Sequence, residues 1–529
     1  MENARIIPGQ IRGMFDDGRG SLIARKIFIF SLVIFIELGA FAAQPLQVLL
    51  DSPPMTLNPR FTLDASGQKL NALLFRSLTA IDANLEPKSD LAESWHSVDS
   101  GKKWIFQIKP SLKDNAGNPI TAQKLASCLE EYRQGKPFSP IKAGFPFWRA
   151  THAIREGGAD LLVIELDKPD PYLPRNVTLL RYFVKKGDTE PCREPGDEPV
   201  IGSGRYHTES PFISLNPESE LHLISATGTE SSLDFHFIRD DNSRLIALLK
   251  GDGDVVAPNG LSLTKTRWIQ ENHSSDFNVI ERPGVNVSYL AFNLKDPILR
   301  RLEVRRAIAL AIDREDIVKN KLFGIGTTAS SMLSPILPES APASFSYDPR
   351  RARELLDQAG FKPGKDGIRF RLKYKTTPVR EGLETAIIFQ AMLRKIGIEL
   401  TLDVIEPAVF LASIRKGSFQ IYSSRWIGVA DGSILYRTLR TGQNNNRVGY
   451  ENHEMDQWLD LAMSEMDLTR RAAILKKVQL KMAEELPYFP LWFWGNTVIT
   501  KKGIGGLSSS ELSLSGSLIP LGSLHQTVR

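Results

Sequence analysis

The chain has 529 residues, of which 42% are hydrophobic and 24% charged, and these are the proportions of a globular protein with room for more than one core. Its 66 Lys and Arg residues against 61 Asp and Glu residues give a net charge of only +5. Both signs are interleaved along the chain, without the long one-signed block typical of a nucleic-acid groove or a polybasic membrane patch. We therefore predict no nucleic-acid partner.

The N-terminal 43 residues have the pattern of an export signal. A basic pair precedes an apolar run over residues 27–38, and Ala40 and Ala42 supply the small residues, two apart, that a signal peptidase requires. The run is shorter than the ~20 residues of a membrane span, and it contains Glu37. We predict a signal peptide over residues 1–43.

Cysteine positions bear on the compartment and on cross-linking. No cysteine follows the predicted cleavage site, so we expect a freely diffusing periplasmic protein rather than a lipoprotein, whether translation starts at Met1 or Met14. In an oxidising compartment Cys128 and Cys192 could pair. Two independent thiols are an equal alternative, because spacing does not give the Cα separation. Cysteines and histidines form no metal motif, and we predict no cofactor.

The first half of the chain mixes strand and helix patterns. A buried strand is predicted over residues 46–50, where a Pro-rich stop follows, and a helix with leucines spaced over residues 70–78 comes next. Alternation predicts a strand over residues 103–108. Thr121 then stands where an N-cap would begin a second helix. These patterns indicate a mixed α/β protein.

Two helices in the second half have the clearest signals. Apolar residues over 304–312 fall at helical spacing on one face. In the other helix, Asp348 is predicted as the cap, Pro349 as a first-turn residue and Gly360 as the left-handed stop.

A strand–helix–strand unit follows these two helices. Alternating residues predict strands over residues 369–374 and 398–404, with a helix over 387–396 between them. Connections this short, with a helical crossover, favour parallel neighbouring strands.

Several short motifs follow one another along the chain. They are LAESW at 91–95, WIFQIKP at 104–110, NPITA at 118–122, IGSGRY at 201–206, LAFN at 290–293, VRRAI at 304–308, AIDR at 311–314 and GYEN at 449–452. Each motif alone is weak evidence. With all of these motifs in this order, the chain resembles the family 5 extracellular solute-binding proteins. These are the periplasmic dipeptide- and oligopeptide-binding proteins of ABC importers.

The resemblance implies an α/β fold of two lobes joined by a Venus-flytrap hinge, the cluster C type of periplasmic binding protein, with an extra subdomain inserted in lobe I. Loop positions set the expected boundaries. They are 44–82 for the first part of lobe I, 83–200 for the inserted subdomain, 201–285 for the second part of lobe I, 286–485 for lobe II and 486–529 for the C-terminal return to lobe I.

The resemblance also implies a non-enzymatic function. The chain would bind a short peptide or a related small solute between its lobes and deliver it to an inner-membrane ABC permease, and we expect it to act as a monomer. An exported sensor or chaperone of the same fold is one alternative. A secreted serine hydrolase is another, through the Ser-x-x-Lys pattern at Ser262 and Lys265, although that pattern recurs elsewhere in the chain and lacks the other elements of an acylase site.

Candidate ligand residues follow from the family motif around Trp426. The family has an acid that binds the peptide amino group three residues after this tryptophan, where the chain has Val429, and Asp431 lies two residues further on. We predict Asp431 as the amino anchor, with a turn residue before Gly432 as its alternative. Trp426 is a candidate for ligand stacking or core packing. Arg425 is a candidate for a ligand carboxylate or a solvated surface position.

The aromatic run over residues 488–494 resembles the family's returning strand. Core packing is its default interpretation. Alternation along a strand places Trp492 and Trp494 on the same face, so both are kept as candidate cleft residues.

Overall fold

The structure is a computed structural model that describes residues 44–62, 64–134, 141, 145, 147–193, 200–208, 220–509, 512, 518 and 524–526. The predicted signal peptide lies outside the described residues. The strands are β1 (Leu46–Leu50), β2 (Thr79–Ile81), β3 (Pro87–Ser89), β4 (Ala92–Val98), β5 (Lys103–Ile108), β6 (Trp148–Glu156), β7 (Ala159–Leu166), β8 (Val184–Lys185), β9 (Val200–Ile201), β10 (Tyr206–His207), β11 (Glu220–Ser225), β12 (Leu233–Phe237), β13 (Val255–Val256), β14 (Phe277–Phe292), β15 (Gly326–Thr328), β16 (Phe370–Thr376), β17 (Ile398–Val404), β18 (Ile421–Trp426), β19 (Tyr488–Lys501), β20 (Ile504–Gly505) and β21 (His525–Gln526).

The helices alternate with these strands. They are α1 (Ala65–Leu74), α2 (Ala122–Gln134), α3 (Leu173–Asn176), α4 (Asp241–Lys250), α5 (Leu263–Asn272), α6 (Leu302–Ala311), α7 (Arg314–Asn320), α8 (Pro349–Gln358), α9 (Arg380–Arg394), α10 (Pro407–Arg415), α11 (Ser433–Leu439), α12 (His453–Ser464) and α13 (Leu468–Glu485). Within the part of the chain that is described, none of the helices combines the length and apolar content needed to cross a bilayer.

Two long antiparallel strands, β14 and β19, connect the two lobes. The main sheet has the order β10-β11-β12-β1-β13-β19-β14-β18-β16-β17, with β15 also paired to β19. Residues 277–283 of β14 pair with 495–501 of β19 on the lobe I side, and residues 287–291 pair with 488–493 on the lobe II side. Both lobes therefore share one hydrogen-bonded strand pair.

The strand pair is irregular where it passes from one lobe to the other. The register of β14 against β19 shifts between Pro283 and Val287, as in a β-bulge that bends and twists a strand. A side chain at Gly284 would come within 2.3 Å of the Trp494 carbonyl oxygen. This position therefore requires glycine.

The predicted strand–helix–strand unit is confirmed. Strand β16 pairs in parallel with β17, and helix α9 lies between them in the chain. Helix α8 begins as predicted, because the Asp348 side chain accepts a hydrogen bond from the Arg351 amide at 2.8 Å and Pro349 occupies the first turn. Gly360 follows it at φ +83°. By contrast, α1 ends at Leu74, short of the predicted residue 78, because Phe75 turns to an extended conformation.

The segment that contains β4 to β7 forms its own antiparallel sheet in the order β4-β5-β7-β6. We call residues 86–176 the inserted segment. Its Phe106 and Leu162 belong to the same buried cluster as Val48 and Phe235 of the lobe I sheet, which fixes the segment on lobe I. The residue boundaries of the subdomains stay predictions.

A disulfide joins Cys128 on α2 to Cys192, with Cα atoms 4.9 Å apart. Of the two alternatives, a disulfide or two independent thiols, the structure thus has the disulfide. Both cysteines are buried, and the buried Arg60 guanidinium donates to the Cys192 carbonyl oxygen at 3.1 Å. The bond closes a loop of 64 residues.

Reduction of this disulfide is expected to lower the free energy of unfolding by roughly 4 kcal/mol, because the cross-link removes loop entropy from the unfolded chain. Equilibrium urea unfolding with and without reductant measures the change. The double variant Cys128→Ala with Cys192→Ala is the control and should not respond to reductant. Identical unfolding curves for the wild-type chain under both conditions would contradict this expectation.

Candidate functional site

A cavity of about 240 Å³ lies between the inserted segment and lobe II. Its wall carries three carboxylates and two guanidinium groups, with one tyrosine and several apolar side chains. The lining residues are Glu86, Pro87, Trp95, Pro171, Tyr172, Pro174, Arg175, Leu337, Pro338, Glu339, Ala430, Asp431, Leu468 and Arg471. Trp95 is the last residue of the LAESW motif, so one of the family-like segments forms part of this wall.

Glu339 joins the two sides of the cavity. One carboxylate oxygen accepts from the Tyr172 hydroxyl of the inserted segment at 2.8 Å and from Arg471 Nε of α13 at 3.0 Å. The other accepts from the Gly432 amide at 2.6 Å. Glu339 is only 3% exposed. A carboxylate buried to this extent is stable only when a cation and hydrogen-bond donors meet its oxygens. The Arg471 guanidinium also lies over the Tyr172 ring, 4.9 Å from its centre.

A second contact across the cavity is made by Arg175 of α3. Its guanidinium lies 3.6 Å from Glu86 and 3.8 Å from Asp431, and it donates to the Ala430 carbonyl oxygen. Asp431 also accepts from the Ser433 amide at 2.9 Å, at the start of α11. The long separations of Arg175 from both carboxylates contrast with the short bonds around Glu339.

Burial shifts two pKa values beside the cavity. Burial raises the pKa of Asp170 to about 6, opposed by hydrogen bonds from the Tyr172 amide and the Asn176 side chain. Burial, with the charge of Glu339, raises the pKa of Tyr172 well above its ordinary value. Tyr172 thus stays neutral and able to donate, and Asp170 adds negative charge above about pH 6.

The carboxylates on the cavity wall outnumber the guanidinium groups. Three carboxylates face two guanidinium groups, and Asp170 lies behind them. Both Glu339 and Arg471 are fully engaged with each other and their neighbours, whereas Glu86 and Asp431 share one guanidinium at the outer limit of an ion pair. An ammonium group placed between these two carboxylates would be neutralised.

Of the five predicted site residues, Asp431 lines the cavity, and Trp426 lies at the end of the strand that precedes the same loop. Asp431 lines the cavity and is 9% exposed. Trp426 ends β18 five residues earlier and stacks on Tyr289, with ring centres 5.7 Å apart. The loop over residues 427–432, which we call the cleft loop, connects them. The Asp431 side chain accepts from the Ser433 amide, as a turn residue would. The role of Asp431 as amino anchor stays a prediction.

The other three predicted residues lie next to one another and outside the cavity wall. Arg425 stands over the Trp494 ring at 4.0 Å and pairs with Glu381 at 2.7 Å. Trp494 contacts Trp492 edge-on, with ring centres 6.3 Å apart, which confirms that the two tryptophans share a face. Trp492 is 2% exposed and belongs to a buried cluster of lobe II, as core packing predicts. Their ligand role stays a prediction.

Most residues of the cavity wall could not be predicted from the sequence. Glu339, Arg471, Tyr172 and Arg175 were not singled out, since each lies in an ordinary context of proline-containing loops or helix ends. Glu339 meets Tyr172 across 167 residues of chain and Arg471 across 132. Spacing in one sequence carries no signal for partners so far apart.

Replacement of Glu339 by Ala is expected to lower the free energy of unfolding by about 3–5 kcal/mol, because it leaves the buried Arg471 guanidinium without its partner. Chemical denaturation measures the change. The control Glu354→Ala removes an exposed partner of Arg351 and should cost under about 1 kcal/mol. Equal effects of the two substitutions would contradict the importance of the buried bond.

The model of the bacterial extracellular solute-binding proteins, family 5, matches residues 86–447. The oligopeptide-binding protein OppA of Bacillus subtilis is 23% identical over 87% of this chain and 90% of its own length. The probable deoxycholate-binding periplasmic protein YgiS of Escherichia coli is 23% identical over 86% and 89%.

A solved structure agrees with the fold. The periplasmic binding protein DppA of Helicobacter pylori, in complex with the peptide STSA, matches with a TM-score of 0.71 at 19% identity and covers 91% of this chain and 98% of that protein. The motif series, the two-lobed fold and the family match over most of the chain agree. The chain belongs to the bacterial extracellular solute-binding proteins, family 5.

Proposed function

We propose that this protein is the periplasmic binding component of an ABC importer, and that it holds a short peptide between its lobes and delivers it to an inner-membrane permease. The observation that carries the proposal is the acidic cavity between the inserted segment and lobe II. A guest there would contact both lobes, so its binding energy would favour the closed form over an open one.

A short peptide suits the cavity because it carries an ammonium group. Glu86 and Asp431 lie on opposite sides and share the Arg175 guanidinium at long range. The peptide ammonium would bind between them, and Asp431 would act as the amino anchor. The cavity of about 240 Å³ is smaller than the roughly 300–1,000 Å³ of ordinary ligand pockets, which favours a short guest in the closed form.

The hydrolase alternative has less support. Ser262 precedes α5, and Lys265 pairs with Asp241 at 2.7 Å. A lysine held in this ion pair is poorly suited to accept a proton from a serine. Neither residue lines the cavity, so we propose binding without catalysis. Export by the N-terminal signal and action as a monomer are parts of the same proposal.

A series of peptides of two to eight residues is expected to stabilise the protein. A ligand at 100 times its Kd adds about 2.7 kcal/mol to the free energy of unfolding, because it binds the folded state alone. Thermal unfolding in the presence of each peptide measures the effect. An unchanged melting temperature across the whole series would contradict a peptide guest.

Asp431→Asn is expected to weaken peptide binding at least about tenfold, because it removes one of the two carboxylates available to the ammonium. Isothermal titration calorimetry measures the affinity. The control is Asp460→Asn, which removes an exposed lobe II carboxylate that pairs with Arg440 at 3.1 Å and lies outside the cavity wall. Equal affinities of the Asp431 variant and the wild type would exclude Asp431 as the anchor.

A further inference from the structure

One carboxylate connects the cleft loop with the opposite lobe. The Gly432 amide donates to one oxygen of Glu339 at 2.6 Å, and the Tyr172 hydroxyl donates to the other at 2.8 Å. Gly432 follows Asp431 directly in the chain, whereas Tyr172 belongs to the inserted segment. The residue next to the predicted anchor is thus joined, through Glu339, to a side chain across the cavity. We call Tyr172, Glu339 and Gly432 the latch.

The latch has no room for a side chain at position 432. Gly432 has right-handed helical torsions, with φ −71° and ψ −8°, so its backbone conformation alone does not require glycine. A Cβ atom there would lie 2.3 Å from Leu475 Cδ1, 3.0 Å from a Glu339 carboxylate oxygen and 3.1 Å from the Tyr172 hydroxyl oxygen. Glycine therefore lets side chains from both lobes reach the backbone next to Asp431.

Arg471 of α13 fixes Glu339 from the lobe II side. Its Nε atom donates to Glu339 at 3.0 Å, and its Nη1 atom donates to the Glu465 carbonyl oxygen at 2.9 Å. Glu339 and Arg471 are both buried, and a charge-assisted hydrogen bond is stronger in such surroundings than in water. The carboxylate thus has a fixed orientation in lobe II, and the Tyr172 hydroxyl reaches it from across the cavity.

A second contact between the inserted segment and lobe II is linked to the latch through Arg471. Met466 follows Glu465 in the chain, and its side chain packs against the buried cluster of lobe I. A Cβ atom at Gly101, in the turn between β4 and β5, would lie 2.3 Å from the Met466 sulfur. Both contacts are made by the protein's own groups, so they contribute to lobe closure with or without a guest.

We propose that the latch couples closure of the lobes to the placement of Asp431, and that Tyr172 and Glu339 are positioning residues for this amino anchor. The proposal rests on the proposed function and adds how the anchor is set. In the closed form the Tyr172 hydroxyl completes the bonds of Glu339, which holds the Gly432 amide. On opening, Glu339 loses this donor and holds the cleft loop less firmly. The guest then meets a fixed anchor only in the closed form, which increases the difference in affinity between the two forms.

The first test needs no guest. Tyr172→Phe keeps the ring and removes the hydroxyl, so amides of the cleft loop and Gly432 above all should exchange with deuterium at least about tenfold faster in the free protein, because the acceptor is held less firmly. Hydrogen–deuterium exchange over residues 427–433 measures the rate. The matched control is Tyr450→Phe, which removes a hydroxyl bonded to Glu485 at 2.6 Å within lobe II and should leave this rate unchanged.

A second variant reaches the latch from the backbone. The methyl group of Gly432→Ala would displace both latch oxygens, so residues 427–433 should lose protection in this variant as well. Far-UV circular dichroism checks that each variant is folded. Unchanged exchange in folded Tyr172→Phe, or an equal increase in Tyr450→Phe, would overturn the latch.

The second test is a double-mutant cycle on the affinity for the most strongly stabilising peptide of the series. Tyr172→Phe should weaken binding at least about fivefold when Asp431 is present, and less than about twofold in the Asp431→Asn background, because the hydroxyl acts through that carboxylate. Calorimetry gives the four affinities. Equal losses in the two backgrounds would overturn the positioning role.

The two tests separate the latch from the proposed function. If no peptide binds the wild type, the proposed function and the anchor role fail together, and the exchange of the free protein still decides whether Tyr172 holds the cleft loop. If peptides bind and Tyr172→Phe behaves as the wild type in both tests, the latch is overturned and the peptide function stands. A direct contact of Tyr172 with the guest would weaken binding without any change in the free protein, and this result overturns the latch too.

Discussion

A carboxylate cannot be buried between two lobes unless cationic or donor groups meet it, and the contact between the inserted segment and lobe II depends on that constraint. Glu339 satisfies it within the protein, through Tyr172 from one side and Arg471 and Gly432 from the other. Asp431 is met by the Ser433 amide and, at 3.8 Å, by the Arg175 guanidinium, which also lies 3.6 Å from the exposed Glu86. The pairing of Asp431 is the feature on which the proposal of a guest with a positive charge rests.

The two lobes are connected by strands β14 and β19, whose pairing is irregular at two points. Strands β14 and β19 are paired along both lobes, and their register shifts between Pro283 and Val287 and again between Ser288 and Tyr289. Gly284 lets the backbones approach there. Under the proposed function, bending at such a bulge would move the inserted segment and the cleft loop relative to each other.

Local signals predicted local structure well. The cap at Asp348, the glycine after α8 and the alternation of β16 and β17 each act within a few residues, so one sequence contains all of the information. The family-like motifs gave the two-lobed fold. The buried bonds of Glu339 could not be predicted, because its partners lie more than a hundred residues away.

Hydrogen–deuterium exchange with and without a saturating peptide tests most directly that the guest is held between the lobes. The account predicts that amides of residues 172–176 in the inserted segment and of residues 427–433 around the cleft loop become protected together, because one guest contacts both sides. Protection confined to one of the two segments, or absent from both while calorimetry shows binding, would contradict it.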